Sequence, residues 1–113
     1  MNWIALTNSA QLESIKLNST AKFVAVFKHS TRCGISRMVL KNFESEFNLS
    51  EDEIDMYYLD LLNFRELSND VSKTFSLIHQ SPQLILVKNG VIIYNASHGD
   101  IQATKIKDIV KSK

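Results

Sequence analysis

The chemistry of this chain is concentrated around its single cysteine, Cys33, which lies between an apolar run and a helical pattern. The run Phe23–Phe27 is rich in β-branched and aromatic residues, which predicts a buried strand. After Cys33, apolar residues recur at spacings of three and four, which predicts an amphipathic helix. These residues are Ile35, Met38, Val39, Phe43 and Phe47. We therefore expect Cys33 at the turn from a buried strand into the first turn of a helix.

A cysteine at the start of a helix is placed to react as a thiolate. The unpaired backbone N–H groups and the positive end of the helix dipole both favour an anion there. Free cysteines titrate at about 8.5, and helix N-termini or nearby cations lower that value. Lys28 and Arg32 supply such cations close by in sequence. A buried structural cysteine is the alternative, but the polar and small neighbours of Cys33 are unlike a core segment.

Length and composition bound the class of protein. The 113 residues suit a single domain, 1–113, and a domain of this size buries roughly two-thirds of its unfolded surface. A hydrophobic content of 44% and a charged content of 22% are typical of a soluble globular protein. The formal net charge of +1 gives no broad basic field, so we expect no nucleic-acid partner. With no membrane-spanning run, no signal-peptide pattern and one cysteine, we expect a cytoplasmic protein without a membrane partner.

Strand and helix patterns alternate along the rest of the chain. The further predicted elements are a strand at Trp3–Leu6, a helix from a cap at Thr7 or Asn8 to about Leu17, a strand at Asp55–Asp60, a helix at about Arg65–Ile78, strands at Gln83–Lys88 and Val91–Ala96, and a helix at about Asp100–Lys111. The predicted core contacts of these helices are Leu12 and Ile15, then Leu67, Val71, Phe75 and Ile78, and last Ile106, Ile109 and Val110. Asn89-Gly90 between two β-rich runs predicts a hairpin with a type I′ turn, because that turn needs φ > 0 at both positions.

This order of elements predicts an α/β fold. Alternating strands and helices imply parallel pairing, and the closing hairpin adds antiparallel strands to the same sheet. We therefore expect a central mixed β-sheet flanked by helices on both faces. Reactive groups in such sheets gather beyond the carboxyl ends of the strands, which is where Cys33 is expected.

The arrangement resembles the thioredoxin fold. Cys33-Gly34-Ile35-Ser36 stands where that fold carries its Cys-x-x-Cys or Cys-x-x-Ser motif, and Ser81-Pro82 matches the place of its cis-proline loop. More narrowly, the segment from Lys28 to Ser36 resembles the YtxJ family, the monothiol bacilliredoxins. The opening Trp3–Thr7 and the loop Ser81–Gln83 look similar too. Gly34 departs from the family pattern, in which proline is expected.

The resemblance implies a thiol-disulfide oxidoreductase that removes bacillithiol from mixed disulfides on proteins. Cys33 would be the catalytic nucleophile, and Ser36 would donate a hydrogen bond to its thiolate or else satisfy backbone groups at the helix start. Serine cannot form a resolving disulfide, so a second thiol or a partner reductase must regenerate Cys33. The implied co-substrate is bacillithiol or another small thiol, the implied partners are S-bacillithiolated proteins, and no bound cofactor is expected.

Several residues are candidates for binding the substrate. Arg32, with Lys28 and Arg37, would attract an anionic low-molecular-weight thiol, although such residues are often simply solvated charges. By resemblance, Ser81 and Pro82 would offer backbone groups to an extended ligand. Gly99-Asp100 resembles the turn that helps glutaredoxins to bind glutathione, although Asp100 is equally suited to cap the last helix. His29 is a candidate for proton transfer near Cys33, although it is expected to be a polar loop residue. The spacing of cysteine and histidine predicts no metal site.

Two other classes of protein remain open. Cys33-Gly34-x-Ser36 also resembles the Cys-Gly-Phe-Ser motif of monothiol glutaredoxins, which bridge an iron–sulfur cluster with an added thiol. Ile35 in place of phenylalanine and the short segment after Lys28 argue against that family. The second alternative is a non-catalytic thioredoxin-fold binding module, which slow alkylation of Cys33 would support.

Overall fold

The secondary-structure elements alternate as the sequence predicts over residues 1–112, the part of the chain that this computed structural model describes. The strands are β1 (Trp3–Ala5), β2 (Phe23–His29), β3 (Ile54–Asp60), β4 (Gln83–Lys88) and β5 (Val91–Ser97). The helices are α1 (Ala10–Asn18), α2 (Gly34–Glu46), α3 (Arg65–Thr74) and α4 (Ala103–Lys111). A short 3-10 turn, His98–Asp100, joins β5 to α4.

The strands form one five-stranded mixed sheet in the order β1-β3-β2-β4-β5. Strand β3 pairs in parallel with β1 and β2, whereas β4 pairs antiparallel with β2 and β5. The hairpin turn has φ values of 54° at Asn89 and 77° at Gly90, so the predicted positive φ at both positions is confirmed. The α/β fold class with helices on both faces is confirmed as well.

Strand β2 is covered on both faces, which explains its continuous apolar sequence. Its side chains alternate between two hydrophobic clusters, because successive residues of a strand point to opposite faces. The α2/α4 face holds Phe23, Ala25 and Phe27 with Val39, Phe43 and Ile106. The α1/α3 face holds Val24 and Val26 with Leu12, Ile15, Leu67 and Val71. Burying one such large apolar side chain stabilises the fold by about 1.5–3 kcal/mol.

The buried stripe of α2 differs from the predicted one. Val39 and Phe43 are buried as expected, but Ile35 and Met38 are 59% and 58% exposed, so their prediction as core residues is wrong. Ser36 takes the buried position one turn before Val39. The helix is therefore rotated so that its first turn presents a hydroxyl to the sheet and apolar side chains to solvent.

Two predicted helix boundaries are also wrong. Helix α3 ends at Thr74 because Ser76 adopts a left-handed φ of 54°, and Ile78 is 81% exposed instead of lying in the core. The last helix begins at Ala103, not at Asp100, since Asp100 ends a separate 3-10 turn and the backbone is extended at Ile101 and Gln102. In the first helix, the predicted cap at Asn8 is present, because the Asn8 Oδ1 atom accepts a hydrogen bond from the backbone N–H of Gln11 at 3.2 Å.

A β-bulge in β5 lets one edge strand serve both faces of the sheet. Leu86 pairs with Tyr94, but Val87 pairs with Ile92, so Ile93 is the extra residue on the bulged strand. Tyr94 packs against the α2/α4 face, whereas Ile92, two residues away, packs against the α1/α3 face. In a regular strand without the bulge, residues two apart such as Ile92 and Tyr94 would lie on one face.

Lys28, expected to be a possible solvated charge, is instead fully buried on the α1/α3 face, with 0% of its surface exposed. Its Nζ atom donates to the Ser72 hydroxyl and to Nδ1 of His79, both at 3.2 Å. These bonds tie β2 to α3 and to the segment that precedes Ser81-Pro82. Desolvation lowers the pKa of Lys28 to about 8.

Replacing Lys28 with methionine should remove a pH dependence of the protein's stability. The pKa of Lys28 is about 8 when folded, against an ordinary value of 10.5, so between these values the unfolded chain binds more protons. Below pH 8, Lys28 is charged in the folded protein, so the full cost of burying the charge lowers the free energy of unfolding. As the pH rises above 8, the buried lysine loses its proton and the free energy of unfolding increases. Relative to Lys28→Met, the wild-type free energy of unfolding should rise by up to about 1.4 kcal/mol per pH unit.

Denaturant unfolding from about pH 7 to about pH 9.5 measures this difference, below the range in which tyrosines titrate. Lys107→Met, which replaces an exposed lysine of α4, is the matched control. Parallel stability profiles for the wild type and Lys28→Met would contradict the assignment.

Candidate active site

Cys33 lies at the junction of β2 and α2, as the sequence predicts. It is the N-cap of α2, with extended backbone angles of φ −96° and ψ 120°. Its N–H donates to the Ser30 carbonyl at 3.2 Å, and its carbonyl accepts the Arg37 N–H at 3.0 Å. The residue is partly exposed, and its side chain makes no capping hydrogen bond to the helix. The thiol therefore stands at the positive end of the helix dipole and is open to a reactant.

The hydroxyl of Ser36 is held beneath this junction. Ser36 is fully buried, and its Oγ atom lies 2.8 Å from Nδ1 of His29 and accepts the Ser30 N–H at 3.2 Å. The expectation of His29 as a polar loop residue is wrong, since it is the buried last residue of β2. Ser36 precedes Val39 by one helical turn, so the spacing that places Val39 on the buried face of α2 also predicts that Ser36 is buried.

The tautomer of His29 decides which way the proton of this network points. Burial lowers the pKa of His29, although the Asp60 carboxylate acts in the opposite direction. The Ser36 hydroxyl has one proton and two acceptor lone pairs, so with the Ser30 N–H on one lone pair it either donates to Nδ1 of His29 or accepts from it. The Ser36 hydroxyl is bonded to His29 and Ser30 and not to Cys33, so its donation to the thiolate stays a prediction.

The predicted cis-proline loop lies at the same end of the sheet. The Ser81–Pro82 peptide bond is cis, as the resemblance implies. Gln83, the next residue, pairs with Lys28 near the carboxyl end of β2. The His98 N–H donates to the Pro82 carbonyl at 3.1 Å, which brings the His98–Asp100 turn to this end as well.

Helix α2 contacts that 3-10 turn, so the turn lies on the face of the sheet that α2 covers. Pro82 is buried, whereas Gly99 and Asp100 are exposed. Gln102, not Asp100, stands at the N-cap of α4, which leaves the Asp100 carboxylate outside the helix. The substrate-binding roles of Ser81, Pro82, Gly99 and Asp100 remain predictions.

The cationic residues near Cys33 separate into different environments. Arg32 is exposed and lines a cleft with Thr31, Leu62, Asn63 and Arg65. Arg37 is exposed on α2, whereas Lys28 points into the core. The sequence analysis missed Arg65, because only the fold brings the start of α3 next to the Cys33 loop. Residues 1–112 contain no group of three side chains suited to hold a metal ion and no helix long and apolar enough to cross a membrane.

Comparison with solved structures identifies the fold. A protein described as a proposed oxidoreductase with a thioredoxin fold is 33% identical, with a TM-score of 0.78 over 94% of this chain and 91% of the other. The Malassezia sympodialis thioredoxin Mala s 13 is 18% identical, with a TM-score of 0.73 over 99% of this chain and 90% of that one. Fasciola hepatica thioredoxin is 19% identical, with a TM-score of 0.68 over 96% of each chain. The fold is therefore thioredoxin-like.

The family is shown by the sequence as a whole. The family model for the monothiol bacilliredoxin BrxC matches residues 4–106 of this chain. That range includes the Cys33 junction, the cis-proline loop and the turn at Gly99-Asp100. The chain, with one thiol at the start of α2 and a thioredoxin-like fold around it, belongs to the monothiol bacilliredoxin family.

Proposed function

We propose that this protein removes bacillithiol from mixed disulfides on other proteins, with Cys33 as its only nucleophile. The observation that carries the proposal is the position of the chain's single cysteine, partly exposed at the N-terminus of α2 and at the same end of the sheet as the cis-proline loop. Family membership supports a thiol-disulfide oxidoreductase, and it supplies bacillithiol as the proposed co-substrate. The alternative of a non-catalytic binding module would leave this accessible thiol without a role.

The proposed reaction is a single thiol–disulfide exchange. The Cys33 thiolate attacks the bacillithiol sulfur of a protein–bacillithiol disulfide, and the new S–S bond forms as the old one breaks. The target cysteine leaves as a thiolate and takes a proton from solvent. The product is a Cys33–bacillithiol disulfide, which a second small thiol or a reductase reduces in a separate step.

The residues around Cys33 suit a reaction that uses one thiol of this protein and leaves the reduction step to another molecule. Unpaired N–H groups in the first turn of α2 favour the attacking thiolate. Ser36 stands one turn along the helix, where a second cysteine would resolve the disulfide, but its hydroxyl bonds to His29 instead. We infer that the backbone at Ser81, beside the cis bond, aligns the extended part of the substrate.

Intact-mass spectrometry tests the transfer directly. Reduced protein incubated with a bacillithiolated peptide should gain the mass of one bacillithiol and release the free peptide thiol. The Cys33→Ser variant should gain nothing, because it has no thiol. Faster transfer from a glutathionylated peptide in parallel would indicate a glutaredoxin, and no transfer from either peptide would refute the proposed activity.

Replacing Ser36 with cysteine should convert the one-thiol reaction into a two-thiol reaction. The introduced thiolate would attack the Cys33 sulfur of the mixed disulfide, form an internal disulfide and release bacillithiol as its thiol. Mass spectrometry should show the wild type accumulating the bacillithiol adduct and Ser36→Cys losing it, leaving a protein two hydrogens lighter than its reduced form. Ser36→Ala, which removes the hydroxyl without adding a thiol, is the control and should retain the adduct.

The Ser36→Ala control also measures what the hydroxyl contributes to the fold. It leaves Nδ1 of His29 and the Ser30 N–H without their partner, which should lower the free energy of unfolding by about 1–3 kcal/mol. An unchanged free energy of unfolding in denaturant would show that water replaces the hydroxyl.

A further inference from the structure

A cleft separates the loop that carries Cys33 from the loop that follows β3. We call it the two-arginine cleft; its lining residues are Thr31, Arg32, Leu62, Asn63 and Arg65. Arg32 directly precedes Cys33, and Arg65 is the first residue of α3. Arg32 thus places one wall of the cleft directly beside Cys33 in the chain.

The topology of the sheet creates this cleft. Strands β2 and β3 are parallel neighbours, and the Leu61 N–H donates to the His29 carbonyl at 3.0 Å, which keeps the two outgoing loops side by side. The next helices then diverge, since α2 packs on one face of the sheet and α3 on the other. Such a divergence at the carboxyl ends of adjacent strands opens the crevice in which α/β proteins bind ligands.

The charges in the cleft favour an anion. The two arginines are exposed, and the ion pairs among residues 1–112 are Lys22–Asp55 and Lys111–Glu53, so neither arginine has a carboxylate partner there. Asp60, at the end of β3, accepts from the Leu62 N–H and the Asn63 amide, at 3.2 Å and 2.7 Å. Arg65 also borders a depression with Glu66 and Asp70, yet it forms no ion pair with either.

A second sign of positive potential comes from a neighbouring histidine. Burial lowers the pKa of His79, and the charges of Lys28 and Arg65 lower it further. The charges of Lys28 and Arg65 therefore both act on His79, from β2 and α3, and Arg32 adds a further cation from the Cys33 loop. Guanidinium groups bind carboxylates through paired N–H groups, so a carboxylate is the anion that this arrangement fits.

We propose that the two-arginine cleft is a carboxylate subsite that selects acidic low-molecular-weight thiols and positions their sulfur at Cys33. This inference rests on the proposed function, because it assigns the part of the same site that would distinguish one small thiol from another. Arg32 and Arg65 supply the charge, and Asn63 lies at the cleft wall as a further polar group.

Two reporter disulfides measure whether Cys33 prefers acidic disulfides, without knowledge of the natural thiol. Dithiobis(nitrobenzoate) carries carboxylates and dithiodipyridine carries none, and both react with a cysteine to release a coloured thiol. We expect Arg65→Gln and Arg32→Gln each to slow the reaction of Cys33 with dithiobis(nitrobenzoate) by about two- to fivefold, the range for solvent-exposed ion pairs. The rate with dithiodipyridine, which reports any change in the thiolate population of Cys33, should fall by a smaller factor, and added salt should shrink the difference between the reporters.

Lys41→Gln is the matched control, because Lys41 is an exposed cation on α2 that does not line the cleft. It should leave the ratio of the two rates unchanged. Equal effects of Arg65→Gln on both reporters, or an equal change of the ratio in Lys41→Gln, would overturn the carboxylate subsite. A preserved preference for the acidic reporter, without any transfer of bacillithiol by the wild type, would refute the proposed co-substrate and leave the subsite standing.

Discussion

Strand β2 is buried along all seven of its residues, yet it ends in two polar side chains that must find partners away from water. Because neighbouring residues of a strand face opposite ways, Lys28 meets Ser72 and His79 on one face, and His29 meets Ser36 on the other. All of these partners lie after Cys33 in the chain. Satisfying the two buried polar groups therefore ties α3 to one face and α2 to the other face of the strand that leads to Cys33.

The loop between β2 and α2 is short, and hydrogen bonds hold its backbone at several points. The Ser30 N–H is bound by Ser36, the Ser30 carbonyl accepts the Cys33 N–H, and the His29 carbonyl accepts the Leu61 N–H. With its backbone restrained in this way, the partly exposed Cys33 is held at the start of α2, where its side chain makes no capping hydrogen bond. Such restraint favours a nucleophile, because a side chain that is already oriented does not lose further conformational freedom when it reacts. The accessible sulfur and its rigid support therefore follow from the same set of buried bonds.

Sequence reasoning predicted the order of the elements, the Asn89-Gly90 turn and the position of Cys33, because each depends on local residue pattern or turn chemistry. The predictions were wrong where tertiary packing determines which residues are buried. Ile35 and Ile78 fit helical spacing but are exposed, since the rotation of α2 and the end of α3 depend on what the sheet accepts. The sequence predicts Lys28 and His29 outside the core, because a buried polar side chain is recognisable only when its partner is known. Family resemblance, and not periodicity, predicted the cis bond before Pro82.

The extra residue Ile93 has a consequence for the outer edge of the sheet. Strand β5 is an edge strand, and its residues Val91 and Ile93 are exposed. A long and regular apolar edge strand can act as a template for strands from other chains. A bulge strengthens the local twist and interrupts the even spacing of unpaired backbone groups. The irregularity that allows β5 to serve both hydrophobic clusters thus also makes it a poor template. The bulge at Ile93 is thus one of the features by which natural proteins limit pairing at the edges of their sheets.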